Sequence, residues 1–418
     1  MNRFIQNIFL ILLPFFPLFS WLIYSATHSP VIFQQALTLF LLAIALYKLP
    51  GCRRLPIYLI CFFIFTIYHL FSKYLNNLIP KDLSTFGFYS LDNNVLACLF
   101  LFIVENTDFE EWFIKKMNKA IFFVIILTLL ISLIQIKDVT FFISPLIIED
   151  ESSAFFFEAG RNYSIYSWIS LNSLGITFPI LVSILLNEYI DEKKTFLTVV
   201  LSLIVVSFLT KTRYVMVSAL IVLSQLFLTA KFTLKKKIYY LTGIIIGIIL
   251  LVGTASSLGV DIQKVIDDRI LEKGIALNEA ESSAGARLTS LKVFLIKYPE
   301  HPWVGVGPHT RDDVLALLGG IPAIHIGYLS YLYFYGVIGC FFLFLALFFL
   351  LRDAWRAGKR YQFWGSFYGI LAFCLANLTF VFFDLSESGI IIAAIYLRFY
   401  RYHTEESESH LLASPADL

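Results

Sequence analysis

Long apolar runs constrain this chain more than any other feature of its sequence. Stretches rich in Leu, Ile, Phe and Val recur along most of its length and are separated by short polar turns. About 20 apolar residues are needed for an α-helix to cross the hydrocarbon core of a membrane. Runs that approach this length lie near 7–25, 31–48, 55–72, 88–104, 120–137, 165–187, 196–210, 214–230, 238–256, 334–351, 363–383 and 389–400. They predict an all-α bundle of about 12 transmembrane helices.

Composition leads to the same class. Hydrophobic residues make up 58% of the 418 positions and charged residues only 15%, which excludes a soluble globular protein. The predicted division is nine membrane helices in 1–256, a polar loop domain in 257–333, three membrane helices in 334–403 and a polar tail in 404–418. We expect the tail to be disordered and the loop domain to carry the function.

The sequence lacks the common signatures of metal and nucleotide chemistry. The five cysteines lie in or beside apolar runs without a CxxC pair, and no Walker motif or HExxH occurs. No acidic cluster has the partners that a metal ion requires. We therefore expect no metal, no cofactor and no nucleic-acid partner.

The distribution of basic residues predicts the orientation of the bundle. If the N-terminus is cytoplasmic, most Lys and Arg residues fall in inner turns, including Arg53, Arg54 and the run Lys235-Lys236-Lys237. This is the arrangement that the positive-inside rule favours. Both termini are then cytoplasmic and the polar loop lies outside, where a donor substrate would have to be carried by a membrane lipid.

Two cations lie in the short turn between the seventh and eighth runs. Lys211 and Arg213 have almost no polar sequence on either side, so we expect both at the outer edge of the membrane. A charge at the centre of a membrane helix costs about 2.5–3.5 kcal/mol on insertion scales, and an anionic ligand can offset such a cost. Contact with lipid headgroups is the simpler alternative.

Arg287 could share that anionic ligand with Arg213. A helix is predicted to begin after Ser282-Ser283 and to end before Pro299, which puts Arg287 near its first turn, close to free backbone N–H groups. Two guanidinium groups can each grip a diphosphate in bidentate fashion. The alternative is an ordinary surface arginine.

Two histidines are candidates for a general base. His325 lies where the polar interval returns to an apolar segment, and His309 lies in the turn that follows Gly305-Val306-Gly307-Pro308. An unperturbed histidine pKa of about 6.5 suits the removal of a hydroxyl proton at neutral pH. The alternatives are a packing residue at the membrane interface for His325 and a solvated turn residue for His309.

Asp384 and Glu387 are the other outward-facing acids in the predicted topology. They lie in the turn between the last two apolar runs. They could order basic residues or a substrate, or the turn could simply be solvated.

Four short motifs follow one another across residues 165 to 345. They are Leu209-Thr210-Lys211-Thr212-Arg213, Gly285-Ala286-Arg287-Leu288, Pro302-Trp303-Val304-Gly305-Val306-Gly307, and His325 followed by Gly336-Val337-Ile338-Gly339. Together they resemble the O-antigen ligase and polymerase superfamily of bacterial envelope glycosyltransferases. The length and hydropathy of the whole chain are also similar to that superfamily.

The resemblance implies a type-C-like helical glycosyltransferase of the bacterial inner membrane with a periplasmic active site. It implies that Arg213 and Arg287 bind the diphosphate of an undecaprenyl-diphosphate-linked glycan and that His325 activates the acceptor hydroxyl. Asn172 matches an asparagine of the sixth-span region, and Lys211 and His309 are possible supporting residues. One departure is Ile326, because the superfamily usually has Asn or a similar polar residue after the histidine.

The resemblance leaves two reactions open within one class. A ligase transfers the glycan to a lipid A core oligosaccharide, and a polymerase transfers it to another lipid-linked repeat unit. Length, span number and the compact loop favour a ligase. Attack opposite the leaving diphosphate predicts inversion at the anomeric carbon, and no metal is expected to take part. A flippase or transporter is the rival from another class, but its repeated halves and intramembrane acids are not seen in the sequence.

Overall fold

We describe the fold from a computed structural model of the chain. It describes residues 2–27, 30–52, 55–76, 92–143, 162–166, 171–210, 212–228, 283–309, 311–319, 324, 326–378 and 383–413, with scattered positions between 233 and 253. Within these ranges the chain forms helices and turns and contains no β-strand.

The helices are labelled in chain order. They are α1 (Asn2–Leu12), α2 (Phe16–Thr27), α3 (Pro30–Lys48), α4 (Ile57–Leu75), α5 (Asn93–Glu105), α6 (Glu111–Ile134), α7 (Leu171–Glu188), α8 (Lys193–Leu209), α9 (Arg213–Leu228), α10 (Ser283–Lys297), α11 (Arg311–Leu317), α12 (Gly327–Tyr361), α13 (Gly365–Ala376) and α14 (Ser388–Ala413).

The all-α membrane fold predicted from the sequence is confirmed. Among the described residues, four helical stretches are long and apolar enough to cross a membrane: Phe33–Gly51, Ile57–Leu75, Glu111–Ile134 and Gly327–Tyr361. A fifth candidate is the pair formed by α1 and Phe16–Ile23, which is bent by 72°. Shorter apolar helices lie between these candidates and after the last of them. The number twelve and the division into domains stay predictions, since the run 238–256 lies largely outside the described residues.

Contacts between the termini of different helices define two ends of the bundle. At one end Glu105 accepts hydrogen bonds from Tyr58 (2.7 Å) and Arg401 (3.1 Å). Arg398 also donates to Asp108 there, over 3.0 Å. We call this end the Glu105 end. The opposite end begins at Asp92, which caps α5, and we call it the Asp92 end.

α7 packs closely against α13 and the start of α14 because glycines line the contact. A Cβ placed on Gly365 would lie 2.7 Å from the Cα of Ile184, and one on Gly389 would lie 2.8 Å from the Cα of Thr177. Small residues at such positions let helix backbones approach each other in membrane proteins. The close approach fixes the position of the turn that contains Asp384 and Glu387.

Two helices in the polar interval follow the sequence prediction, whereas the tail does not. α10 lies where Ser282-Ser283 and Pro299 predicted a helix. The sequence also predicts helices at 312–318, where α11 lies, and near 260–280, which lies outside the described residues. The tail from Thr404 was predicted to be disordered, and this is wrong up to Ala413 because α14 continues to that residue. Extending an existing helix adds one hydrogen bond per residue and needs no new nucleus.

Candidate active site

The loop Pro302–Pro308 is built into a break in α12. At Gly336 the backbone leaves the helical conformation, with φ of 59° and ψ of −171°. The loop pairs with the backbone groups around this break: Val306 N donates to Tyr333 O over 3.1 Å, and Val337 N donates to Pro302 O over 2.9 Å. Buried backbone groups without partners are costly, so the loop and the break stabilise each other.

The C-terminal end of α4 holds the same loop from the other side. Asn76 Nδ2 donates to the carbonyl oxygens of Val306 (2.8 Å) and Pro308 (3.0 Å). The Tyr68 hydroxyl donates a hydrogen bond to the carbonyl oxygen of Val304 over 2.5 Å. The loop is therefore held between α4 and α12 at the Asp92 end.

His309 follows this loop with a fixed ring. Its Nε2 lies 3.0 Å from the carbonyl oxygen of Val306. A carbonyl can only accept, so Nε2 carries the proton, and the neutral ring has an unprotonated Nδ1. The amide nitrogen of Asn76, 3.3 Å from Nε2, is also a donor, so that contact contributes no hydrogen bond. In the neutral form of the ring, the free lone pair of His309 is thus on Nδ1.

A buried polar network centred on Asp92 lies beside the loop. Asp92 Oδ1 accepts from the backbone N–H groups of Asn94 and Val95. Its Oδ2 lies 2.5 Å from His69 Nε2 and 3.1 Å from Lys73 Nζ. The two backbone N–H groups and the Lys73 ammonium all stabilise the charged form of Asp92.

The network extends from Asp92 through His69 to Tyr335. His69 Nδ1 lies 2.8 Å from the Tyr335 hydroxyl. The carboxylate of Asp92 accepts a hydrogen bond from His69 Nε2, and this bond orients the imidazole ring. Both His69 and Tyr335 are buried.

A cavity of about 520 Å³ opens between the loop and this network. Its size is within the range of about 300–1,000 Å³ that is typical of small-molecule sites. Aromatic and polar side chains line it together. The lining residues used below are His309, Asp92, Asn93, Asp384, Tyr331 and Phe383.

A chain of planar polar groups forms one wall of the cavity. Gln34 Nε2 donates to Asn93 Oδ1, and Asn93 Nδ2 donates to Asp384 Oδ2, both over 2.6 Å. Asp384 Oδ1 accepts from the backbone N–H and hydroxyl of Ser386. One alternative from the sequence was a simply solvated turn. The structure instead engages both of its acids in contacts with other helices.

Glu387 is the second acid of that turn and is buried against α7. The hydroxyl groups of Ser173 and Thr177 donate hydrogen bonds to its two carboxyl oxygens, over 2.6 and 3.0 Å. Glu387 lies outside both flanking helices. Burial, and then the charge of Asp384, raise the pKa of Glu387 to about 7. It ties the turn to α7.

The residues predicted for donor binding and catalysis are described to different degrees. Arg287 lies half-buried on α10. Arg213 begins α9 and Asn172 lies in the first turn of α7, but their side chains are outside the described part. Lys211 and His325 lie outside the described residues altogether.

Neighbours of Arg213 and His325 meet at one end of α13. Tyr214 and Val215 of α9 pack on Ala376. Gly327 donates its N–H to the carbonyl of Asn377, the next residue, over 3.1 Å. Chain positions directly after Arg213 and two residues after His325 are therefore close together at the Asp92 end.

α10 packs against the same region. Phe294 shares a buried cluster with Ile324, which precedes His325, and with Tyr333 of α12. Arg287 is two turns before Phe294 on α10, a distance of about 10 Å along the helix axis. The convergence of the three side chains themselves stays a prediction.

Sequence reasoning missed His69, Asp92, Asn93 and Tyr335. His69 and Lys73 were visible in the sequence as ionisable residues four positions apart at the end of an apolar run. An ionisable residue inside a membrane helix is a functional candidate by default. Their partner Tyr335 could not be inferred, because it is 266 positions from His69 in the chain.

The fold and the polar Asp92 end define a multi-pass, all-α membrane protein with a candidate substrate site at one end of its bundle. A family model described as O-antigen ligase matches residues 197–345. The match confirms the resemblance to the O-antigen ligase superfamily, whose members are membrane glycosyltransferase-like enzymes. It covers most of α8, all of α9, α10 and α11, and the first part of α12. No curated protein matches the chain.

Proposed function

We propose that this protein is an O-antigen ligase of the bacterial inner membrane. It transfers a glycan from undecaprenyl diphosphate to a sugar of the lipid A core on the periplasmic side. The observation that carries the proposal is the family match over residues 197–345, because this segment contains Arg213, Arg287 and His325 together with the loop Pro302–Pro308.

In the proposed reaction His325 accepts the proton of the acceptor hydroxyl. The hydroxyl oxygen attacks the anomeric carbon and forms the new glycosidic bond, while the bond between that carbon and the diphosphate oxygen breaks. Attack opposite the leaving group inverts the anomeric configuration. Undecaprenyl diphosphate leaves with the bonding electron pair.

The two arginines neutralise the charge that develops on the leaving diphosphate. Planar guanidinium groups can form paired hydrogen bonds to phosphate oxygens, and these bonds strengthen as negative charge grows. Lys211 is a supporting cation, and Asn172 is a further polar side chain at the start of α7. The packing of Tyr214 on Ala376 and of Phe294 beside Ile324 supports a common location for these groups.

The decisive experiment is deletion of the gene followed by electrophoresis of lipopolysaccharide. A ligase predicts that all glycan disappears from the lipid A core and that lipid-linked glycan accumulates. A core that carries a single repeat unit would instead identify a polymerase, which uses the same donor. Unchanged lipopolysaccharide and unchanged capsule or exopolysaccharide would overturn both assignments.

A further inference from the structure

We propose that the cavity between α4, α5, α12 and the turn at Asp384 binds a sugar ring of the glycan substrates. The inference rests on the proposed function and assigns a second part of the site. The diphosphate would bind at the arginines, and a carbohydrate ring at the cavity.

The charge of the cavity selects hydroxyl groups over phosphate. The lining residues include the carboxyl groups of Asp92 and Asp384 and, among the described residues, no Lys or Arg. Lys73 pairs with Asp92 but is not one of the lining residues. A carboxylate accepts hydroxyl protons but repels a phosphate anion, which needs guanidinium or ammonium donors. The cavity is therefore suited to a ligand that donates many hydrogen bonds and carries little negative charge.

The lining also has the mixed chemistry that a sugar ring needs. Asn93 and Asp384 present planar polar groups whose orientation is fixed by their own hydrogen bonds. Beside them Tyr331 and Phe383 meet edge to face, with ring centroids 5.0 Å apart. His309 adds an unprotonated Nδ1 as an acceptor. Hydroxyls can thus meet polar groups while the apolar face of a ring lies on aromatic carbon.

The buried network behind the cavity keeps this wall rigid. Asp92 is held by two backbone N–H groups and by His69 and Lys73. Asn93, the next residue, is exposed toward the cavity. A substitution at Asn93 therefore removes the proposed ligand contact together with the bonds of Asn93 to Gln34 and Asp384, and it leaves the partners of Asp92 in place.

Two glycans have the required chemistry, namely the core oligosaccharide of the acceptor and the glycan of the donor. Purified full-length protein in detergent is titrated separately with deacylated core oligosaccharide and with glycan released from the lipid donor by mild acid. Binding is followed by saturation-transfer NMR and calorimetry. Whichever probe binds identifies the source of the sugar.

The test compares Asn93→Ala with Asn2→Ala, since Asn2 is exposed at the Glu105 end and bonds to Lys48. One lost hydrogen bond of about 0.5–1.5 kcal/mol corresponds to weakening by about two- to twelvefold for Asn93→Ala. No change is expected for Asn2→Ala. Failure of both probes to bind, or equal binding by both variants, would overturn the cavity assignment.

The outcome for the cavity is separable from that for the reaction. If transfer requires Arg287 and His325 but neither probe binds the wild-type protein at the cavity, the cavity assignment fails and the ligase assignment stands. If a probe binds in an Asn93-dependent manner but gene deletion leaves the envelope polysaccharides unchanged, the ligase assignment fails. The sugar site stands in that case.

Discussion

Gly305 and Gly336 allow the loop and α12 to touch. Both have positive φ, 70° and 59°, a conformation that side chains with a Cβ rarely adopt. A Cβ on Gly336 would overlap the backbone of Trp303 and Gly305, and one on Gly305 would overlap Phe334 and Gly336. The site therefore depends on two backbone positions that carry no functional group.

We expect Gly336→Ala to destabilise the protein far more than Gly319→Ala. Gly319 also has positive φ, 65°, but a Cβ there would meet nothing within 4 Å. Gly319→Ala pays only the conformational cost of about 1–3 kcal/mol, whereas Gly336→Ala adds the overlap with backbone. Thermal unfolding in detergent measures the difference. Equal melting temperatures for the two variants would refute the close packing described here.

Arg287→Lys tests the role of the guanidinium in donor binding. Lysine keeps the charge but cannot form the planar, bidentate contact to a phosphate. We expect transfer to fall by about two orders of magnitude with unchanged expression. Arg356→Lys, exposed on α12 near the Glu105 end, is the matched control and should be fully active. Near-normal transfer by Arg287→Lys would remove this arginine from the mechanism.

His325→Ala tests the general base. Loss of such a group lowers rates by about 10²–10⁴-fold, and we expect lipid-linked glycan to accumulate in cells that carry this variant. His301→Ala is the control, because His301 is exposed in the turn after α10. Full activity of His325→Ala, together with inactivity of His309→Ala, would assign the base to His309, whose Nε2 bonds to the carbonyl of Val306.

At the scale of elements, the turn before α14 is attached to α7 through Glu387. The pKa of Glu387 is raised from 4.5 to about 7. Between these two pH values the folded protein therefore holds a proton that the unfolded chain releases. This contribution to stability is fully present below about pH 4.5. It is lost as the pH rises toward 7 and through it.

We therefore expect Glu387→Gln to melt at a higher temperature than the wild type above pH 7. The amide cannot ionise and can still bond to Ser173 and Thr177. The difference should shrink or reverse near pH 5, where the wild-type carboxyl is protonated. Melting curves from pH 5 to pH 8.5 measure it, and Glu111→Gln, on the exposed start of α6, should show no such trend. A pH-independent difference would contradict the raised pKa.

Helices were easier to predict than the contacts between them. α10 and α11 follow from helical spacing bounded by Ser282-Ser283, Pro299 and Pro308, which are local signals. The network of His69 and the attachment of Glu387 depend on partners 266 and 214 positions away. Such long-range pairings leave no periodic trace in a single sequence. For that reason the motif residues could be named from sequence, but the cavity beside them could not.

At the scale of the whole molecule, the predicted orientation puts the Glu105 end in the cytoplasm. Cys52 follows α3 at that end and is exposed. We expect a membrane-impermeant maleimide to leave Cys52 unlabelled in intact spheroplasts and to label it after lysis. Cys52→Ser combined with Ile296→Cys should show the opposite behaviour, because Ile296 is 70% exposed on α10. Labelling of Cys52 in intact spheroplasts would invert the topology and place the candidate site in the cytosol.

The break at Gly336 divides α12 into two helical segments with different contacts. Residues 327–335 are bonded to the loop on one side and, through Gly327, to the end of α13 on the other. Residues 337–361 belong to the bundle. Straightening the helix at Gly336 would break the hydrogen bonds between α12 and the loop Pro302–Pro308. The break in the helix is therefore a stable feature of the fold. If substrate entry displaces the loop, the first turns of α12 must move with it, and the hinge for that movement is one glycine.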